Sequence, residues 1–205
     1  MLRVVKLGGS LHRAAELENC LKVLARADVG VVLVPGGGPF ADTVRMIQAQ
    51  SGISDATAHR MAMLAMEQYG LVLCDLEPSL VPVDNIVDIA RTLAKGRTPL
   101  WMPVEMCRNA SDIPENWSVT SDSLAAWLAI QLAADSLTLI KRERPIDLNP
   151  IAMAVSGWVD KAFPFFANKF GRAIHVLDLH EANTITEWLK PALSRDPYDQ
   201  NTCVQ

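Results

Sequence analysis

The stretch VGVVLVPGGGPFA, from Val29 to Ala41, decides how this chain folds. Val29 to Val34 is a short apolar run rich in β-branched residues, which reads as a buried strand. Pro35 and the glycines Gly36, Gly37 and Gly38 end it. Pro39 then suits the first turn of a helix running to about Gln50. The same order of strand, glycine loop and helix stands at the start of the chain. Arg3 to Leu7 reads as a strand, Gly8-Gly9-Ser10 as the loop, and Leu11 to Ala27 as the helix. Two such units in succession call for parallel strands joined by helical crossovers.

The pattern continues outward. A helix rich in Ala and Met is expected from Asp55 to Tyr69, closing at Gly70, with a short strand at Leu71 to Cys74. Glu77 to Asp84 carries two prolines and reads as a loop. Helices are expected at Asn85 to Lys95, Ser121 to Ala134, Val159 to Phe170 and Glu181 to Leu189. Strands are expected at Pro99 to Val104, Ser136 to Ile140 and Ala173 to Leu177. Arg142 to Pro150 reads as a surface loop, and the tail after Pro191 as frayed. Strands alternating with helices give an α/β fold, a mostly parallel sheet covered on both faces, formed by residues 1–205 as a single domain. Ligands of such sheets sit beyond the carboxyl ends of the strands.

Composition narrows the function. The 205 residues include 19 basic and 23 acidic ones, for a net charge of -4. No general positive field draws the chain onto nucleic acid or an anionic membrane. Cysteines 20, 74, 107 and 203 stand too far apart for a zinc or redox motif, and a disulfide framework does not suit this size. No apolar run is long enough to span a bilayer, and the N-terminus lacks a signal core. Reduced thiols and a cytoplasmic location are the expectation.

Four motifs can carry chemistry. Lys6-Leu7-Gly8-Gly9-Ser10 joins a strand to a helix. There adjacent glycines let amides approach an anion, and a lysine adds a point charge. Alone, it fits a tight turn with a surface lysine equally well. Gly36-Gly37-Gly38 forms a second loop of the same kind, costly in entropy and not required by packing. After neighbouring strands the two loops should meet at one sheet edge. Asp122 in Thr120-Ser121-Asp122-Ser123 stands at a helix start, either as a dipole partner or as a carboxylate between lysines. Thr120 or Ser121 could cap that helix. Lys161 at a helix start opposes the dipole. It is a solvated lysine unless a phosphate lies there. The four histidines have no metal-ligand spacing, and no metal-binding residue is assigned.

Taken in order, KLGGS, VPGGGPFAD, TSDSLAA and LIK resemble the amino acid kinase family. WSVTSDSLAAWLA, AHRMAMLAMEQYG and VDKAFP look most like its small branch in methanogens and methylotrophs. That branch includes the aminomethylfuran phosphate kinase of methanofuran synthesis. The resemblance implies a three-layer αβα sandwich and an ATP- and Mg2+-dependent phosphotransferase acting on a small phosphomonoester. It implies catalytic roles for Lys6, Asp122 and Lys161. Nucleotide contacts would come from Gly8, Gly9, Ser10 and Lys141, and acceptor contacts from Gly36, Gly37 and Gly38. It also implies homo-oligomers. Relatives follow the strand at Lys141 with an aspartate-valine-aspartate-glycine segment, whereas this chain reads Lys141-Arg142-Glu143-Arg144-Pro145. Base recognition should therefore differ.

An acceptor phosphate is anionic at neutral pH and needs no general base, only cations that let two charged molecules approach. Asp122 would fix the lysines, and magnesium would ride mainly on ATP oxygens and water. Other acceptors fit the same motifs: isopentenyl phosphate, a nucleoside monophosphate or a carboxylate. So does a non-catalytic nucleotide-binding role. Met61, Met63 and Trp127 could line an acceptor pocket.

Overall fold

The computed structural model describes residues 1–108, 110–180 and 182–189. The chain begins with β1 (Leu2–Leu7), a 3₁₀ turn (Gly9–Arg13), α1 (Leu17–Ala25), β2 (Gly30–Pro35), α2 (Gly38–Ser51) and α3 (Asp55–Leu76). β3 (Leu80–Val83), α4 (Ile86–Ala94), β4 (Thr98–Trp101) and a single turn, α5 (Val104–Cys107), follow. The last part holds α6 (Ser121–Gln131), β5 (Ser136–Lys141), α7 (Pro150–Val155), α8 (Phe163–Phe170), β6 (Ala173–Asp178) and α9 (Ala182–Leu189).

Among the described residues six strands form one sheet in the order β3-β4-β2-β1-β5-β6. Every neighbouring pair is parallel. Successive side chains of a strand point to opposite faces, and β1 shows this clearly. Val4 joins Val34, Leu139, Leu124 of α6 and Phe166 of α8 in one core layer. Val5 and Leu7 join Leu21 of α1, Leu73 of α3 and Trp188 of α9 in the other. The architecture is a three-layer αβα sandwich. The strand order reverses at β1, which lies between β2 and β5, and such reversals open a crevice at the carboxyl edge. No helix among the described residues is long and apolar enough to cross a membrane.

Several boundaries depart from the sequence reading. α3 runs through Gly70 to Leu76, so the strand expected at Leu71 to Cys74 is helix. A Cβ at Gly70 would lie 2.9 Å from Leu100 Cδ2, so this glycine serves close packing on β4 rather than helix termination. Leu80 to Val83 is a strand despite Pro82. It is the outermost strand, where a missing N–H is tolerated. The helix expected from Leu11 breaks into a 3₁₀ turn and α1, because Ala14 is extended. Asn149, near the end of the expected loop, caps a short α7 that begins at Pro150 and lies outside the expected helices. α8 begins at Phe163, so Val159 to Lys161 precede it. Glu181 and the tail after Pro191 lie outside the described residues.

Candidate active site at the carboxyl edge of the sheet

The two glycine loops meet. A Cβ on Gly9 would lie 2.5 Å from the Gly38 nitrogen, and one on Gly36 would lie 2.4 Å from the Gly9 nitrogen. No side chain fits at that spacing, so packing of loop on loop demands these glycines. This corrects the expectation that packing did not require them. Gly38 also has φ +53°, with the Tyr69 ring against it. Main-chain bonds fix both loops to the sheet. Gly8 N–H donates to Ile140 O at 3.0 Å, and Gly36 N–H donates to Leu7 O at 2.9 Å. The amides of Gly9, Ser10, Gly37 and Gly38 have no main-chain acceptor among the described residues. They are available to an anion.

Strand register brings the charges together. Lys6 of β1 pairs with Leu139 of β5. Lys141 lies two residues further along β5, so it shares the Lys6 face. α6 covers that face and presents Asp122 in its first turn. Lys6 Nζ stands 2.9 Å from Asp122 Oδ1, and Lys141 Nζ donates to Asp122 Oδ2 at 3.0 Å. Lys141 also donates to the Trp158 carbonyl. Lys6 is 4 % exposed and Asp122 5 %.

Burial would push the Asp122 carboxyl up, but the Lys6 and Lys141 ammoniums outweigh it and hold it below the usual range. The Lys141 ammonium is pushed below the usual lysine range by burial first and by Lys6 second, with Asp122 opposing. Two ammoniums therefore share one carboxylate. A buried charge without compensation costs several kcal/mol. A bound anion at this point would supply the compensation.

A further carboxylate, Asp160, lies close by. Its Oδ2 accepts from Thr120 N–H at 2.9 Å, Thr120 Oγ1 at 2.8 Å and Ser123 N–H at 3.0 Å. Its Oδ1 accepts from Ser123 Oγ. Burial, and then the Asp122 charge, pushes the Asp160 carboxyl up, and these hydrogen bonds oppose the rise.

Two cavities flank the loops. One, of about 230 Å³, lies between α2, α3 and the start of α6. Gly9, Ser10, Gly38, Met63, His59 and Trp117 are among the residues that line it. The His59 imidazole is held below its usual pKa by burial, with the Asn116 backbone and Glu115 opposing. The Arg45 guanidinium lies 4.4 Å above the Trp117 ring. The second cavity, of about 390 Å³, is lined by Ser10, Lys141, Arg142, Glu143, Gly157 and Trp158. Ser10 borders both.

The structure thus brings together Lys6, Gly8, Gly9, Ser10, Gly36, Gly37, Gly38, Asp122 and Lys141. It does not bring Lys161 to Asp122. Lys161 is exposed in the turn before α8, and the second ammonium on Asp122 is Lys141. Lys141 is accordingly part of the charged cluster rather than a residue beyond it. The start of α6 is capped by neither Thr120 nor Ser121 but by Asp160. No sequence signal marks so distant a cap. Trp127 does not line the 230 Å³ cavity. It is core, with its ring centroid 6.1 Å from that of Trp101 and its Nε1 donating to Asp112. Met61 faces a separate groove between α2 and α3. Cys20 and Cys107 are buried free thiols pushed up to about 12.

Chain-wide comparison places this geometry among known proteins. The fold matches uridylate kinase from Archaeoglobus fulgidus with a TM-score of 0.66 at 16% identity, covering 92% of this chain and 95% of that one. It matches UMP kinase from Bacillus anthracis with a TM-score of 0.66 at 14% identity, covering 91% of each chain. At these identities the likeness concerns the fold. A curated relative, the [5-(aminomethyl)furan-3-yl]methyl phosphate kinase of Methanocaldococcus jannaschii, is 30% identical over 129 residues. The match takes in 62% of this chain and 59% of that relative's length. The profile of the amino acid kinase family matches residues 1–146, which hold both glycine loops, Lys6, Asp122 and Lys141. With most of its length and its whole charged cluster inside that match, the chain belongs to the amino acid kinase family.

Proposed function

We propose that the chain is an ATP-dependent phosphotransferase that adds a phosphoryl group to a small phosphomonoester. [5-(Aminomethyl)furan-3-yl]methyl phosphate, in methanofuran-type cofactor synthesis, is the acceptor we favour. The observation that carries the reading is the largely buried Lys6-Asp122-Lys141 cluster, with one more positive than negative charge, beside two loops with amides that have no main-chain acceptor among the described residues. Family membership and the curated relative support the choice of reaction and acceptor. The size of the acceptor-side cavity supports a small molecule: about 230 Å³ is below the roughly 300–1,000 Å³ of most ligand pockets.

In this reading the nucleotide occupies the cavity beside Lys141 and Trp158, and the acceptor phosphate enters from the side of Gly38. Transfer is in-line, and its requirement is positioning and charge compensation. The Lys6 and Lys141 ammoniums face the transferring group and offset the repulsion of two phosphates. The amides of Gly9, Ser10, Gly37 and Gly38 orient their oxygens. Asp122 holds the ammoniums apart and aimed, and abstracts no proton. Neither Asp122 nor Asp160 suits a resident magnesium site. Both oxygens of Asp122 face ammoniums, and those of Asp160 are taken by Thr120 and Ser123. Magnesium belongs here to the nucleotide substrate.

The test is turnover of magnesium-ATP against a panel of the aminomethylfuran phosphate, isopentenyl phosphate, UMP and acetylglutamate, read as ADP release and as diphosphate by phosphorus NMR. The furan diphosphate is expected. ATP binding without transfer to any acceptor would instead favour a non-catalytic member of the family.

A further inference from the structure

The residue that organises this cluster without touching it is Asp160. We propose that Asp160 is a positioning residue for phosphoryl transfer, setting the Lys141 ammonium by fastening the 158–162 segment to the first turn of α6. The inference rests on the reading of Lys141 given above and extends it.

Lys141 Nζ is held at two points, Asp122 Oδ2 and the Trp158 carbonyl. These points belong to segments far apart in sequence, α6 and the turn before α8. Their relative position fixes where the ammonium stands. Asp160 lies two residues beyond Trp158 and takes four hydrogen bonds from Thr120 and Ser123, which bracket Asp122. The Ala162 amide donates to the Ser118 carbonyl at 2.9 Å, a second stitch between the same segments. Pulling the two segments apart would leave Lys141 one anchor instead of two, and a lysine side chain has wide rotamer freedom to lose its aim.

A plain helix cap does not account for the arrangement. Thr120 occupies the N-cap position, and its hydroxyl is of the type that caps helices locally. Here that hydroxyl instead donates to Asp160. The cap comes from 40 residues away and is a carboxylate set near a second carboxylate, Asp122, whose charge disfavours it. A local cap would avoid that repulsion. What the distant one adds is the tie between Trp158 and Asp122.

The test compares Asp160→Ala with Asp160→Asn, using magnesium-ATP and the aminomethylfuran phosphate at a temperature where circular dichroism shows each variant folded. Asp160→Ala is expected to lower kcat by roughly 30-fold or more while KM for either substrate moves by less than about threefold. Asp160→Asn keeps an accepting oxygen and should recover kcat to within about fivefold of the parent. Because Asp160 acts through Lys141, adding Asp160→Ala to Lys141→Met should cost less than about threefold further. An Asp160→Ala variant with parental kcat, or an equally large extra loss in the Lys141→Met background, overturns the proposal. Should Asp160→Ala fail to fold, Thr120→Val with Ser123→Ala removes the hydroxyl donors and keeps the carboxylate. That variant should lower kcat with KM little changed, and no loss would count against the proposal. Full turnover by Lys141→Met alone sinks the underlying reading of the site and this one with it. Loss by Lys141→Met with none by Asp160→Ala sinks this one alone.

Discussion

Lys6 and Trp101 stand near the carboxyl ends of parallel strands in one sheet, on the same face and almost without exposure. Trp101 is surrounded by apolar groups. Its ring lies near that of Trp127, and its Nε1 donates to Met106 S at 3.2 Å. Lys6 at the centre of the sheet lies against a carboxylate that a second lysine also needs. An aromatic residue buried this way stabilises the fold by several kcal/mol. A buried ion cluster adds little or nothing net, because desolvation offsets the attraction. The β4 side of the edge is thus built for stability and the β1–β5 side for charge. Charge is buried where the strand order reverses, and that is where the fold leaves a crevice.

Substitutions on the two sides should therefore separate rate from stability. Lys6→Ala leaves Asp122 paired with Lys141, so stability should change by no more than about 1 kcal/mol while kcat falls by roughly a thousandfold. Parental turnover in that variant would erase the distinction. Trp101→Ala should do the reverse, costing about 3–5 kcal/mol in urea melts while kcat of the folded fraction stays within about threefold.

A pH profile sharpens the comparison. The Lys141 pKa is lowered, so its ammonium loses its proton as pH rises through a value below the ordinary lysine one of about 10.4. The profile of kcat should show a descending limb there, about tenfold per pH unit. Lys141→Arg should remove the limb whatever its effect on rate, since guanidinium does not titrate in this range. A limb unchanged by that substitution would assign it elsewhere. The smallest effect is expected from Lys161→Ala. With its exposed side chain away from Asp122, kcat should stay within about threefold, and a loss of two decades would restore the role implied by the family resemblance.

The alternation of strands and helices was legible because a parallel strand buried on both faces is a continuous apolar run, and glycine loops mark its end. Gly70 and Pro82 misled for opposite reasons. Gly70 looked like a helix stop but makes room for Leu100, a partner invisible in a local window. Pro82 looked like a strand breaker but lies on an edge, where its missing N–H does no harm. At the site, Lys6, Asp122 and the glycines stood out because residue type and position coincide at strand ends. Lys141 was visible, yet its pairing was not. Counting two residues on from the partner of Lys6 would have placed it on the same face, but that partner is known only once the strands are paired. Asp160 reaches across 37 to 40 residues, and periodicity carries no such information.

The contact between Gly9, Gly36 and Gly38 has a mechanical corollary. With no space for one extra carbon at either crossing, neither loop can tilt without carrying the other. On the proposed reading, room for substrate entry would then have to come from the walls, either the Arg45–Trp117 side or residues 142–158, because the two loops are packed as one unit.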